Sequence, residues 1–408
     1  VCDKVDSYIA RQPIFDRKTH IFGYELLFRS GVSDSSYSAV DADQASSRVV
    51  MESFYTMGVT SITGGKPAFI NFTSTILLEN IAMLFPKNLL VIELLEDIEP
   101  TPEIVNACRN LCYQGYTLAL DDFVYRPELE PLIQLCKIIK FDFLATPPQE
   151  IMETLSLIDT KGKLLLAEKI ESMEMFQMAA EMGFTLFQGY FFCKPVTLAS
   201  KDVAPLKARY VSLLHEVNEG SDMDFRRLAN IILGDVALSY KLLRMVNSAY
   251  YALPTEVVDI KYALSILGTE DIRKWIFLMA IMDMCSSKPD ELIRMSMIRG
   301  RFMEQIQRYC RLPYSSENIF LTGLFSLLDV MMEQQMHVAL HNMPLAAEIL
   351  QTLVDHSGQL YDLLQLVVSL EQSAWEETDR LIESFSLSAG QVTTVYVEAV
   401  KWCNEIYL

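Results

Sequence analysis

Residues 89–123 read LLVIELLEDIEPTPEIVNACRNLCYQGYTLALDDF. An apolar run, LLVIELLE (89–96), precedes a helix-like segment, TPEIVNACRNLCYQG (101–115), and a second run, TLALDDF (117–123), follows. Strand, helix, strand in that order calls for parallel pairing through a right-handed crossover. The same texture extends outward through YIARQPIF (8–15), IFGYELLF (21–28), PAFINFT (67–73), KIIKFDFL (137–144), KLLLAEKI (163–170) and TLFQGYFF (185–192). Eight such runs, with helical stretches such as SMEMFQMAAEMG (172–183) between most of them, close most naturally into a TIM-like α/β barrel. The first two runs are joined only by DRKTH (16–20), so that pair is expected to be a hairpin.

Nearly every run carries a polar residue where a core strand would stay apolar: Glu25, Asn71, Glu93, Asp121 with Asp122, Lys140 with Asp142, Glu168 and Gln188. They sit at or near the C-terminal ends of their runs. In a parallel barrel those ends converge on one face, where active sites are built. A single such residue would be an edge charge; a whole series points to a shared site.

The chemistry of the set is restricted. Residues 1–203 contain one histidine, His20, in an expected turn, so imidazole-based zinc or iron centres are disfavoured. Carboxylate and amide oxygens suit Mg²⁺ or Mn²⁺. The adjacent Asp121 and Asp122 can serve two ions, and paired metals are a recurrent device for hydrolysing phosphate esters. Lys140 either adds charge near the reacting phosphate or forms a buried salt bridge with Asp142 or Asp122. Glu168 can take a proton.

On these residues the first half resembles the EAL domain, a family of cyclic di-GMP phosphodiesterases. The signature appears as Glu25-Leu26-Leu27 in GYELLFR, with Arg29 in a ligand-binding position. Asn71 in FINFT, Glu93 in VIELLE, Asp121-Asp122-Phe123, Lys140 and Asp142 in IKFD, Glu168 and Glu171 in AEKIE, and Gln188-Gly189 follow in the family's order. The resemblance implies that Glu25, Asn71, Glu93 and Asp121 hold one metal, and that Asp122 with Asp121 holds a second. It implies that Lys140 and Glu168 activate water, and that Arg29, Glu171 and Gln188 belong to the cyclic di-GMP site. The product would be the linear dinucleotide.

The chain also departs from the family. Leu26 replaces the alanine of the signature, Val124 replaces the glycine after the DDF, and YRPELEP (125–131) replaces a Gly/Ser-rich loop. Lys169 replaces a glycine beside Glu168. Altered support around a metal site lowers affinity or activity. Two readings therefore stand at this level: a metal-dependent phosphodiesterase, and a silent barrel that senses cyclic di-GMP or scaffolds other proteins.

The texture changes near KPVTLASKDVAPLK (194–207), which places a boundary between 203 and 204. The second half, 204–408, is expected to be all-helical. LANIILGDVALSYKLLRMVNSAYY (228–251) reads as two helices broken at Gly234-Asp235, with Asp235 as a cap. VDIKYALSILGTEDIRKWIFLMAIM (258–282) reads as two more, broken at Gly268 with Thr269 as a cap. Its histidines, 215, 337, 341 and 356, are not followed by aspartate, so the His-Asp pair of helical metal phosphohydrolases is missing. These stretches resemble the HDOD domain, a relative of those hydrolases without their metal ligands. Asp235, Leu238, Leu243, Asn247, Ser248, Ala263, Leu267 and Gly268 carry the match. The pairing resembles the bacterial EAL–HDOD signalling family, in which the helical part is an output or regulatory module contacting a protein partner.

Composition limits the partners. With 34 basic and 53 acidic residues the formal charge is −19, which disfavours bulk nucleic acid. No apolar run is long enough to span a bilayer, and the N-terminal residues lack a signal pattern, so a cytoplasmic protein without membrane insertion is expected. The eight cysteines form no C-x-x-C pair, and Cys108 and Cys112 read as core-facing on one helix. A homodimer is compatible with all of this.

Overall fold

The computed structural model describes residues 7–30, 58–193, 213, 225–284, 288–340, 343 and 345–407. Described residues up to 193, together with 369–378 and 388–393, form one compact unit; the remainder forms a second. The boundary expected between 203 and 204 lies outside the described residues.

The first unit contains a closed eight-stranded barrel whose strands follow chain order. They are β1 (Ser7–Asp16), β2 (Ile21–Ser30), β3 (Ala68–Phe72), β4 (Leu90–Leu94), β5 (Thr117–Leu120), β6 (Ile138–Asp142), β7 (Leu164–Glu168) and β8 (Leu186–Gln188). β2 to β8 pair in parallel. β1 runs antiparallel to both neighbours, so the first pair is the expected hairpin. Its turn is closed by Asp16 Oδ1, which accepts from the amides of Lys18 (2.7 Å) and His20 (2.9 Å). The contact to the amide two residues on is an Asx turn.

The crossover from β4 to β5 is the helix Pro102–Gln114. Thr101 caps it by accepting from the Ile104 amide, and Pro102 occupies its first turn, where no amide is required. Its inner face carries Ile104, Val105, Cys108 and Leu111. Cys108 is fully buried, and that burial pushes its thiol up to about 12. The thiol is therefore a packing group, as the helical spacing predicted.

Among its described residues the second unit contains helices and no strand. Helices Phe225–Leu233 and Val236–Val246 are separated at Gly234-Asp235, and Asp235 Oδ1 accepts from the amides of Ala237 (2.9 Å) and Leu238 (3.1 Å). The run Ile260–Met284 breaks at Gly268, whose φ of 72° and ψ of 173° lie outside the helical region. Further helices include Asp290–Ile306, Ser316–Phe325, Gln359–Glu371 and Ala389–Tyr407. Trp275, Phe302, Ile306, Leu324 and Val395 are buried among them. Asn247, a polar residue at a helix end, clamps a backbone segment. Its amide donates to Val257 O (2.8 Å) and its oxygen accepts from Val257 N (2.7 Å). That is the structural role open to an Asn in this position.

Candidate functional site

The barrel interior is layered. Ile14, Phe69, Val91, Ala119, Ile138, Leu166 and Leu186 form a buried apolar plug contributed by β1 and β3–β8. Side chains on a strand alternate, so the residue two positions further points the same way. Two positions beyond the plug lie Asn71, Glu93, Asp121, Lys140, Glu168 and Gln188. On antiparallel β1 the matching step runs backward, from Ile14 to Gln12. On β2, Gly23 pairs with Ile14 and Glu25 pairs with Gln12. The polar residues seen in the sequence are thus one ring resting on one hydrophobic floor.

Lys140 stands at the centre of the ring and is fully buried. Its Nζ lies 2.6 Å from Glu93 Oε1, 2.6 Å from Asp121 Oδ1, 2.9 Å from Glu168 Oε1 and 3.6 Å from Glu25 Oε2. Neither Asp142 nor Asp122, the partners considered from sequence, pairs with it. An ammonium has three N–H groups, and four carboxylates face this one. The ring therefore keeps surplus negative charge and surplus acceptors. Asn71 Oδ1, Glu93 Oε2, Glu168 Oε2 and Gln188 Oε1 are buried without a hydrogen-bond donor. Ligand oxygens of Glu25, Glu93 and Asp121 lie within 4.8 Å of one another. Unsatisfied hard oxygens around excess negative charge fit Mg²⁺ or Mn²⁺.

Burial raises the pKa values of Glu25, Glu93 and Glu168, with Lys140 opposing and the neighbouring carboxylates adding to the rise. Glu168 is pushed up to about 8. For Lys140, burial alone would favour the neutral amine. Glu168, Glu25, Glu93 and Asp121 outweigh it and hold the group well above the ordinary lysine value.

This arrangement makes stability depend on pH in the metal-free protein. Between the unfolded Glu value of 4.5 and about 8, the folded chain holds a proton on Glu168 that the unfolded chain has released. Stability contributed by that proton is complete below the lower value and is lost as pH rises through the upper one. The urea midpoint in the presence of a chelator is expected to fall steadily between about pH 5 and about pH 8, and Glu168→Gln is expected to flatten the slope. A midpoint that climbs over this window would contradict the assignment.

Gln188 ties the ring to the hairpin. Its Nε2 donates to Glu25 Oε2 (2.6 Å) and to Gln12 Oε1 (2.9 Å). Gln12 was not picked out from the sequence, because on an antiparallel strand it lies mid-run and not at a C-terminal end. The signal was present: Gln12 is a polar residue inside YIARQPIF, and the hairpin register sets it opposite Glu25. Gly189 follows at φ 141°, where a Cβ would lie 2.2 Å from Ile170 O. Only glycine allows the chain to pass there and send Gln188 inward.

The other sequence candidates lie outside the ring. Asp122 follows Asp121 with φ 38°, is half-buried, and is not in the carboxylate group that can share an ion. Burial and Asp121 raise its pKa. Arg29 is half-buried near the end of β2, and Glu171 is exposed beyond β7. Asp142 accepts from the amides of Leu144 (2.7 Å) and Ala145 (2.9 Å), and its second oxygen accepts from Lys169 Nζ. Burial would raise Asp142, but these hydrogen bonds win and hold it below the usual carboxylate value. Lys169 thus pairs with Asp142. The substituted loop is anchored by Arg126, whose Nη2 donates to Glu96 O (3.0 Å), and by Phe123 packed edge-on against Phe141.

No helix among the described residues is long and apolar enough to cross a membrane. Residues 204–348 match the HDOD domain family. Over 407 residues the chain is 34% identical to the uncharacterized protein YuxH of Bacillus subtilis (strain 168), covering 98% of each. Over 402 residues it is 32% identical to the cyclic di-GMP phosphodiesterase CdgJ of Vibrio cholerae serotype O1, covering 98% of this chain and 93% of that one. Among solved structures it is similar to the EAL enzyme Bd1971 in its cAMP- and cyclic-di-GMP-bound form. That likeness has 18% identity and a TM-score of 0.38, covering 47% of this chain and 62% of that one.

Proposed function

Since the chain belongs to the EAL–HDOD family, we propose that its barrel hydrolyses cyclic di-GMP to the linear dinucleotide with Mg²⁺ or Mn²⁺, and that its helical unit regulates or transmits the signal. One observation carries the reading: Glu25, Glu93 and Asp121 converge within 4.8 Å beside an unbonded Asn71 oxygen, on the inward face of a closed barrel. The relative named a cyclic di-GMP phosphodiesterase supports it.

In this reading Glu25, Asn71, Glu93 and Asp121 would hold an ion, with Asp122 the candidate for a second. The bound metal supplies neutralisation of the phosphate and a lowered pKa for water. The chain's own groups do the rest. Glu168, ionised once a bound cation adds positive charge beside it, accepts the proton of the attacking water. Lys140 remains charged and stabilises the negative charge that develops on phosphorus-bound oxygen. A water O–P bond forms, one ester P–O bond of the ring breaks, the departing oxygen takes up a proton to become a hydroxyl, and the ring opens. Gln188 holds Glu25 in place, and Gln188, Arg29 and Glu171 seat the nucleotide. The helical unit contacts a protein partner, and the protein works in the cytoplasm, with a homodimer as a compatible assembly.

A second reading, in which the barrel binds cyclic di-GMP without cleaving it, is favoured by one observation. Lys169 occupies Asp142, where the family has no side chain to do so. Purified protein incubated with cyclic di-GMP and Mn²⁺, followed by chromatography, separates the two. The wild type is expected to yield linear dinucleotide, and Glu25→Ala at least about 100-fold less, as loss of a metal ligand predicts. Undiminished turnover in Glu25→Ala would sink the hydrolytic reading. Binding without product in the wild type would select the sensor.

A further inference from the structure

We propose that the Lys169 ammonium takes the place of a second divalent cation, so that each barrel binds a single metal ion. The inference rests on the metal-dependent reading above and concerns the number of ions and the residue that sets it.

Three observations converge. Among the described residues, the ligand oxygens of Glu25, Glu93 and Asp121 form one group within 4.8 Å of one another, and Asp122 is not part of it. Asp122 is the residue a second ion would need, and Lys169 acts on it as the leading positive charge, ahead of Lys140. Lys169 Nζ is itself fixed on Asp142 Oδ2, with Asp122 and Glu168 in the same field.

The ammonium is built into this place by the backbone. Lys169 has φ 56°, a left-handed conformation that disfavours a side chain. Hydrogen bonds on either side enforce it: Phe143 N donates to Glu168 O (3.3 Å) and Ile170 N donates to Gln188 O (2.9 Å). Asp142 is held just as firmly by the amides of Leu144 and Ala145. A strained residue kept by its surroundings, carrying a charge toward a functional carboxylate, points to a role at that carboxylate. A monocation held on Asp142 near Asp122 offsets part of the Asp122 charge and repels an incoming dication.

The test counts metal and does not depend on turnover. Wild type, Lys169→Gly and Lys169→Gln are equilibrated with Mn²⁺ by dialysis, and bound metal is measured by atomic absorption and electron paramagnetic resonance. Glycine is at home at this φ, and glutamine keeps the length without the charge. Expected are one Mn²⁺ per wild-type chain and a second, spin-coupled Mn²⁺ in both variants. The second site is expected to bind about 10–100-fold more tightly in the variants than in the wild type. Two ions in the wild type with unchanged affinity in the variants would overturn the inference and leave the metal reading intact. Variants that stay at one ion would also overturn it. No bound ion in any form would overturn the metal reading itself, and this inference with it.

Discussion

Lys140→Met is expected to destabilise the metal-free protein by about 3–5 kcal/mol near neutral pH, the range for breaking a buried charge network by removing one partner. The reason is local. Lys140 is fully buried, and Glu25, Glu93, Asp121 and Glu168 all lie within 3.6 Å of its Nζ. Methionine restores the volume and removes the only counter-charge seen within that ring. The loss is expected to shrink toward acid pH, because protonated carboxylates no longer need the ammonium. Urea unfolding in a chelator at about pH 5 and about pH 8 checks this. A penalty that is equal at both pH values would mean that Lys140 acts through packing and not through charge.

Glu168→Gln is expected to lower kcat for cyclic di-GMP by about 10²–10⁴-fold, the usual contribution of a positioned general base. Glutamine keeps the shape and leaves the Glu25, Glu93 and Asp121 oxygens untouched, so Mn²⁺ binding is expected to persist. Nucleotide affinity measured by calorimetry is expected to change little. That split between turnover and binding is the signature of a group acting in the transition state. Turnover within a few-fold of wild type would assign the proton to another group. Loss of metal and turnover together would make Glu168 a ligand.

The barrel was legible because its information is local and repeated. Asn71, Glu93, Asp121, Lys140, Glu168 and Gln188 each interrupt an apolar run, and each follows a plug residue by two positions. A period of two is a property of the strand itself, so it survives in the one-dimensional text. The helix breaks at Gly234-Asp235 and Gly268 were legible for the same reason: a cap and a positive φ are set by neighbouring residues. Gln12 was harder to find, because its strand runs the other way. Its membership of the ring depends on hairpin register and barrel closure.

The sequence by itself determined the strand-and-helix order, the hairpin, the ring of polar residues and the oxygen-rich character of the site. Only the tertiary structure decided which charges meet. Lys140 and Asp142 lie on the same strand, two residues apart, yet Lys140 turns to acids on four other elements of the barrel wall, while Asp142 takes Lys169. Distances across a closed barrel are set by strand tilt and stagger, not by separation along the chain. A side chain two positions further along a strand faces the same interior one layer higher, where its neighbours are different residues. That is why the sequence could name the members of the ring, and only the fold could pair them.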